Sequence, residues 1–165
     1  MEPVVLTGMG QSDLAAATAD ALASGDPAAL ILLGRSQTEI QPVFEAINNK
    51  YPKVKVIFIT VDVCKLSSVR GATEVIKKLE VPIDGIIGFP MVMAGEWATT
   101  KDGIESHFQI NYLTHFVLVN RLLGMIPEEG RVVLVSSSIR PDAMAFRFDD
   151  TNFSVSSSSA WLYVD

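Results

Sequence analysis

Five short apolar runs, each followed by a stretch with helical spacing, constrain this chain more than any other feature. Val4-Val5-Leu6, Ala28 to Leu33, Lys53 to Val61, Ile86 to Phe89 and Arg131 to Val135 all have strand length. The second is apolar without alternation, as a strand buried on both faces must be. Between the runs lie four helical stretches. Ser12 to Ala23 is the first, Thr38 with Gln41 opens the second as a capping box, Ser67 to Glu80 forms the third, and the fourth is a long helix entered at Thr99 or Thr100 that reaches about Met125. Turn residues separate them, among them Gly25-Asp26-Pro27, Asn48 to Pro52, Val81 to Gly85 and Pro127 to Gly130.

Right-handed crossovers wind a βαβαβαβαβ chain into a parallel sheet covered by helices on both faces. The expected fold class is therefore α/β, a doubly wound, mostly parallel Rossmann-like sheet of five strands in the order 3-2-1-4-5. Residues 1–138 form this domain and 139–165 a loop-rich tail of the same domain. Ligands of such sheets bind beyond the carboxyl end of the central first strand. There the chain reads Thr7-Gly8-Met9-Gly10 and then a helix, whose free N–H groups would face a pyrophosphate. The glycine fingerprint is incomplete, since Ser12, Asp13 and Leu14 hold the places of its last two glycines, and Asp13 adds negative charge where a diphosphate would sit.

Composition narrows the function classes. With 165 residues, 48% of them apolar, the chain is long enough for one well-packed core. A net charge of −6, without a cluster of Lys or Arg, argues against nucleic acid as a partner. No apolar run approaches the roughly 18 residues that a membrane span requires. The single cysteine, Cys64, excludes an internal disulfide frame and fits a reducing, cytoplasmic setting, as does the lack of a basic, apolar leader after Met1. His107 and His115 stand eight apart on the long helix and read as core or surface residues, because a metal pair wants a spacing near four; no metal is expected.

Thr7-Gly8, Val61-Asp62-Val63, the phrase from Asp102-Gly103-Ile104-Glu105 to Asn111-Tyr112-Leu113-Thr114-His115-Phe116, and Arg131 to Ser137 together resemble the short-chain dehydrogenase/reductases. The resemblance runs in order over most of residues 4 to 153 and is nearest to a retinol-dehydrogenase-like fungal branch. It implies the doubly wound sheet and a catalytic Ser, a Tyr and Lys spaced Tyr-x-x-x-Lys, and a helix Asn that relays protons. Carried over by position, Ser137 matches the serine, Asn111 the asparagine, and Asp62 with Val63 the pair that hydrogen-bonds adenine. Arg35-Ser36 resembles the version that accepts a 2′-phosphate, hence NADP. Asp149 to Phe153 resembles the loop before the catalytic tyrosine, which makes Tyr163 the candidate.

The departures from that pattern shape the functional expectation. The lysine of Tyr-x-x-x-Lys, the last two of the family's seven strands and the substrate lid would fall past Asp165, so the chain reads as truncated. Gly88-Phe89-Pro90-Met91 replaces the family's Asn-Asn-Ala-Gly. Ordinary hydride transfer is therefore not expected, and Thr7, Gly8, Gly10, Arg35, Ser36, Asp62 and Val63 read as a vestigial cofactor site. The favoured expectation is a protein without cofactor that binds a hydrophobic small molecule among Phe89, Met91, Met93 and Trp97. Ser137, Asn111 and Tyr163 would serve there as donors for an isomerisation, dehydration or cyclisation in secondary metabolism. The alternatives are an NADP-dependent oxidoreductase completed by another chain and a catalytically silent binding module. An uncovered fifth strand and long helix predict a homodimer through helix 100–125 or the fifth-strand edge.

Overall fold

The computed structural model describes residues 1–9, 13–89, 92, 96–136 and 148–152. Its elements are β1 (Val4–Leu6), α1 (Asp13–Ala23), β2 (Ala29–Gly34), α2 (Gln37–Lys50), β3 (Lys55–Thr60), α3 (Leu66–Lys77) and β4 (Gly85–Gly88). A π-helical turn, Phe108–Leu113, leads into α4 (Thr114–Leu122), a 3₁₀ turn Leu123–Met125 follows, and β5 (Arg131–Leu134) closes the sequence of elements. The five strands form one parallel sheet in the order β3-β2-β1-β4-β5, the α/β Rossmann-like topology expected from the sequence. Val5 lies between Ile31 on β2 and Ile86 on β4, so β1 is central.

Alternation along the buried strands divides the core between two faces. Val5, Ile31, Leu33 and Ile86 point to the side packed by Val69, Ile76, Leu118 and Leu122 of α3 and α4. Val4, Leu6, Leu30 and Leu32 point to the side packed by α1 and α2. On α1 the buried residues are Ala15, Ala19 and Ala23, a small-residue stripe that lets the helix lie close on the sheet. The two outer strands differ from the three inner ones: β3 is only partly covered and every residue of β5 is exposed.

Two helix starts differ from the sequence reading. Helix α2 is capped by Ser36, whose Oγ accepts the Thr38 N–H at 3.2 Å; Thr38 itself is already inside the helix. The long helix does not begin at Thr100. Residues 99–105 make a tight strap in which Thr99 and Glu105 pair as an antiparallel bridge and Gly103 takes a φ of +75°. Glu105 is the helix start, its carboxylate accepting the N–H groups of His107 (2.9 Å) and Phe108 (2.7 Å). The π turn that follows carries the Thr114 N–H to the Gln109 carbonyl, one residue further back than an α-helix would.

Candidate functional site: the carboxyl ends of the central strands

Beyond β1 the chain turns at Gly8, with a φ of +71° and no room for a side chain: a Cβ there would stand 2.8 Å from Phe89 Cβ. The turn therefore requires glycine. Thr7 ties three elements together. Its Oγ1 accepts the Phe89 N–H at 3.1 Å from the end of β4, and it shares a proton with His115 Nε2 of α4 at 3.0 Å. His115 comes this near because β4 ends in Gly88, where a Cβ would meet the imidazole Cδ2 at 2.6 Å. His115 is 3% exposed, and its Nδ1 has no well-formed hydrogen bond among the described residues. Burial holds its pKa below the ordinary histidine value, opposed in part by the Asn111 backbone.

The outer end of the cleft is charged. Arg35 follows β2 and is exposed, with a long 3.4 Å contact to Glu39 one turn later. Asp62, just past β3, is the better organised group. Its Oδ1 accepts the Cys64 N–H at 3.1 Å, its own N–H donates to Ser68 Oγ at 2.9 Å, and Lys101 Nζ sits 2.7 Å from Oδ2. That hydrogen bond from Lys101 is the main reason the Asp62 carboxyl lies below its ordinary range. The Val63 carbonyl accepts from Gln109 Nε2 (3.2 Å) and Thr114 Oγ1 (3.1 Å), so this strand end is anchored from α4.

The strap is fastened at both ends. Asp102 Oδ2 accepts the Leu66 N–H (2.7 Å) and Gln109 Nε2–H (2.9 Å), and Asp102's neighbour Lys101 holds Asp62. On the other side Asn152 accepts the Glu105 N–H at 3.0 Å, donates to the Gly103 carbonyl at 3.1 Å, and offers its backbone carbonyl to the Trp97 indole at 2.9 Å.

Thr7, Gly8, Arg35, Ser36, Asp62 and Val63 all lie at the carboxyl edge of the sheet. Ser36 spends its hydroxyl on capping α2. Asn111 stands on the π turn beside them, but its amide is clamped on the loop after β4: Nδ2 donates to the Val92 carbonyl at 2.7 Å and Oδ1 accepts the Val92 N–H at 3.2 Å. Two of the expected pocket residues are placed otherwise. Phe89 is 3% exposed and packs into the core under the Gly8 turn with Leu6 and Met9, because its side chain falls on the α1 face of the sheet. Trp97 is partly exposed and holds Asn152. Gly10, Met91, Met93, Ser137 and Tyr163 lie outside the described residues.

A separate apolar groove of about 150 Å³ opens between α4 and β5, lined by Gly88, Asn111, Tyr112, His115, Phe116 and Leu134 among others. Lys101, Asp102, Gln109 and Thr114 were missed by sequence reasoning. The Asp102-Gly103 turn signal before an apolar stripe was the available clue that the helix starts later. The two histidines are used within the fold, His107 on Glu105 at 2.9 Å and His115 on Thr7. No helix among the described residues is long and apolar enough to cross a membrane.

A parallel 3-2-1-4-5 sheet with a glycine turn after its central strand defines a doubly wound, Rossmann-like α/β protein. The chain belongs to the short chain dehydrogenase family, whose model matches residues 2–146. It is 35% identical over 156 residues to oxidoreductase fscI of Fusarium equiseti, covering 90% of this chain and 60% of that protein. To human polyprenol dehydrogenase it is 33% identical over 115 residues, 66% of this chain and 35% of that one. A crystal structure of an uncharacterized protein from Mycobacterium Paratuberculosis superposes with a TM-score of 0.78 at 32% identity, covering 98% of this chain and 55% of that chain. The chain thus spans little more than half the length of these relatives, or less.

Proposed function

We propose that the chain is the dinucleotide-binding part of a short-chain dehydrogenase/reductase-type oxidoreductase, and that it takes an NADP-type cofactor across the carboxyl ends of β1 and β4. The observation that carries this reading is the adenosine end. Asp62 presents a half-exposed carboxylate held by the Cys64 amide, and the exposed Arg35 guanidinium follows the neighbouring strand. Gly34 pairs with Thr60 and the Val61 N–H with Gly34, so the two residues leave adjacent strands at the same level. A carboxylate acceptor beside an exposed guanidinium suits a purine amine and a ribose phosphate. The dehydrogenase and oxidoreductase names of the relatives favour the same chemistry.

When bound, such a cofactor supplies hydride transfer. The chain's own residues do the rest: Gly8 permits close approach, Arg35 meets a phosphate, Asp62 accepts from the base, and Asn111 holds the loop after β4 through Val92. A reducing, cytoplasmic setting suits a chain with one free cysteine.

Calorimetric titration with NADPH and NADH tests the proposal. Micromolar NADPH binding with a raised melting temperature is expected, and Arg35→Ala should weaken NADPH about tenfold or more while sparing NADH, the scale of a lost charged hydrogen bond. No binding of either nucleotide would overturn it. The second reading, a cofactor-free binder of a hydrophobic compound acting as isomerase or cyclase, is favoured by Asp13 in the first turn of α1 and by the exposed Leu14 beside it, where glycine would admit a pyrophosphate. That outcome would support it.

We further propose that copies of the chain self-associate through α4 and the β5 edge. Tyr112, Phe116, Val132, Val133 and Leu134 are exposed there.

A further inference from the structure

We infer that Lys101 is a specificity-determining residue at the nucleoside end of the cleft, where its ammonium competes with the donor amine of a purine base for the Asp62 carboxylate. The inference rests on the nucleotide reading above and extends it to a residue on the strap, away from the strand ends.

Both oxygens of Asp62 already accept a donor, Oδ1 from the Cys64 N–H and Oδ2 from Lys101 Nζ at 2.7 Å. The backbone donor is fixed by the turn. The ammonium is the exchangeable one, on a side chain 67% exposed facing a carboxylate 38% exposed. A base amine reaching Asp62 must therefore share Oδ2 with a full positive charge or displace it. Exposed pairs of this kind are weak, so a ligand can win, at a cost in affinity. Lys65 also lowers the Asp62 carboxyl through its charge.

The strap does not depend on this contact. Asp102 keeps its bonds to the Leu66 N–H and Gln109, the Thr100 hydroxyl meets Gln109 Oε1 at 2.5 Å, and Thr99 pairs with Glu105. Lys101→Met removes the ammonium, keeps most of the stem and leaves the strap in place.

The test is calorimetric titration of the full chain with NADPH and with its hypoxanthine analogue, which lacks the base amine. Wild type, Lys101→Met and Lys101→Arg are compared. Lys101→Met should bind NADPH about two- to fivefold tighter, the range of an exposed ion pair, with no gain for the analogue. Lys101→Arg should return the wild-type values. Loss of a cation near an anionic ligand would by itself weaken both ligands, so a gain confined to the amino base isolates the competition at Asp62. Equal or weaker NADPH binding by Lys101→Met, or an equal gain for both ligands, overturns the role of Lys101 and leaves the nucleotide reading standing. If none of the three proteins binds either ligand, the nucleotide reading falls and the role of Lys101 falls with it.

Discussion

The Thr7 hydroxyl stands between partners 82 and 108 residues away in sequence, the Phe89 amide and the His115 ring. A proton added to that ring would be sealed from water, and burial outweighs the help of the Asn111 backbone, so the folded state favours neutral imidazole. The sign follows from the depressed pKa. The unfolded chain binds the proton at its ordinary value of 6.5 and the folded chain only below it. Stability is therefore full above about pH 6.5 and falls as pH drops below it. Urea unfolding at pH 7.5 and 5.5 should show this loss, and His115→Gln should flatten the slope over that window; a slope unchanged by the substitution would remove His115 as its source. Asp62 and Glu105, depressed from 3.8 and 4.5, act at lower pH and leave this window clear. The sequence marked Thr7 and Gly8 by their place after an apolar strand, and it read His115 as a filler. Nothing local to His115 indicates Thr7, and the room for its ring depends on Gly88 on another element.

Among the elements, the strap and the helix after it carry the main difference between pattern and structure. Of the apolar stripe that helical spacing marks on the long helix, Ile104, Phe108, Leu118 and Leu122, the last two are buried and the first two only partly so, and Ile110 is buried with them. The helix start was hidden because Thr99 and Thr100 are ordinary cap residues, whereas the cap in use is a buried glutamate. Burial alone would raise the Glu105 carboxyl; the amides of His107 and Phe108 and the His107 ring outweigh it and hold it below the usual range. Glu105→Ala should cost about 1–2 kcal/mol, the upper range for a lost cap, and lower the melting temperature by several degrees. Glu105→Gln, which keeps an acceptor, should lose less. Differential scanning calorimetry checks both, and equal melting temperatures for all three proteins would place the cap elsewhere. Strand order was legible because each βα unit has its own apolar run and turn. The π turn was not, since one extra residue in a helix leaves no mark on composition.

At the scale of the whole molecule, the sheet has two outer strands of different character. β3 is flanked by α2 and α3, while β5 is exposed along its length beside Tyr112 and Phe116 of the neighbouring helix. Phe108, Tyr112 and Phe116 stack in sequence, with ring centroids 5.4 and 6.1 Å apart, into a flat aromatic rail. Surfaces of this kind favour association. Light scattering at tens of micromolar should report a species of twice the chain mass, and Phe116→Asp with Leu134→Lys should return the monomer; a wild-type monomer at that concentration would count against self-association.

The parallel register has a further consequence for how the cleft comes into being. Because all five strands run one way, the groups at its edge arrive from separate stretches of chain, and Thr7 meets Phe89 and His115 of the β4–α4 unit only across the pairing of β1 with β4. A nascent chain that has not yet laid β4 against β1 lacks the Thr7 junction at the inner end of the cleft. Ligand capture is thus a late reporter of assembly, emerging only when the slow, long-range pairings are complete.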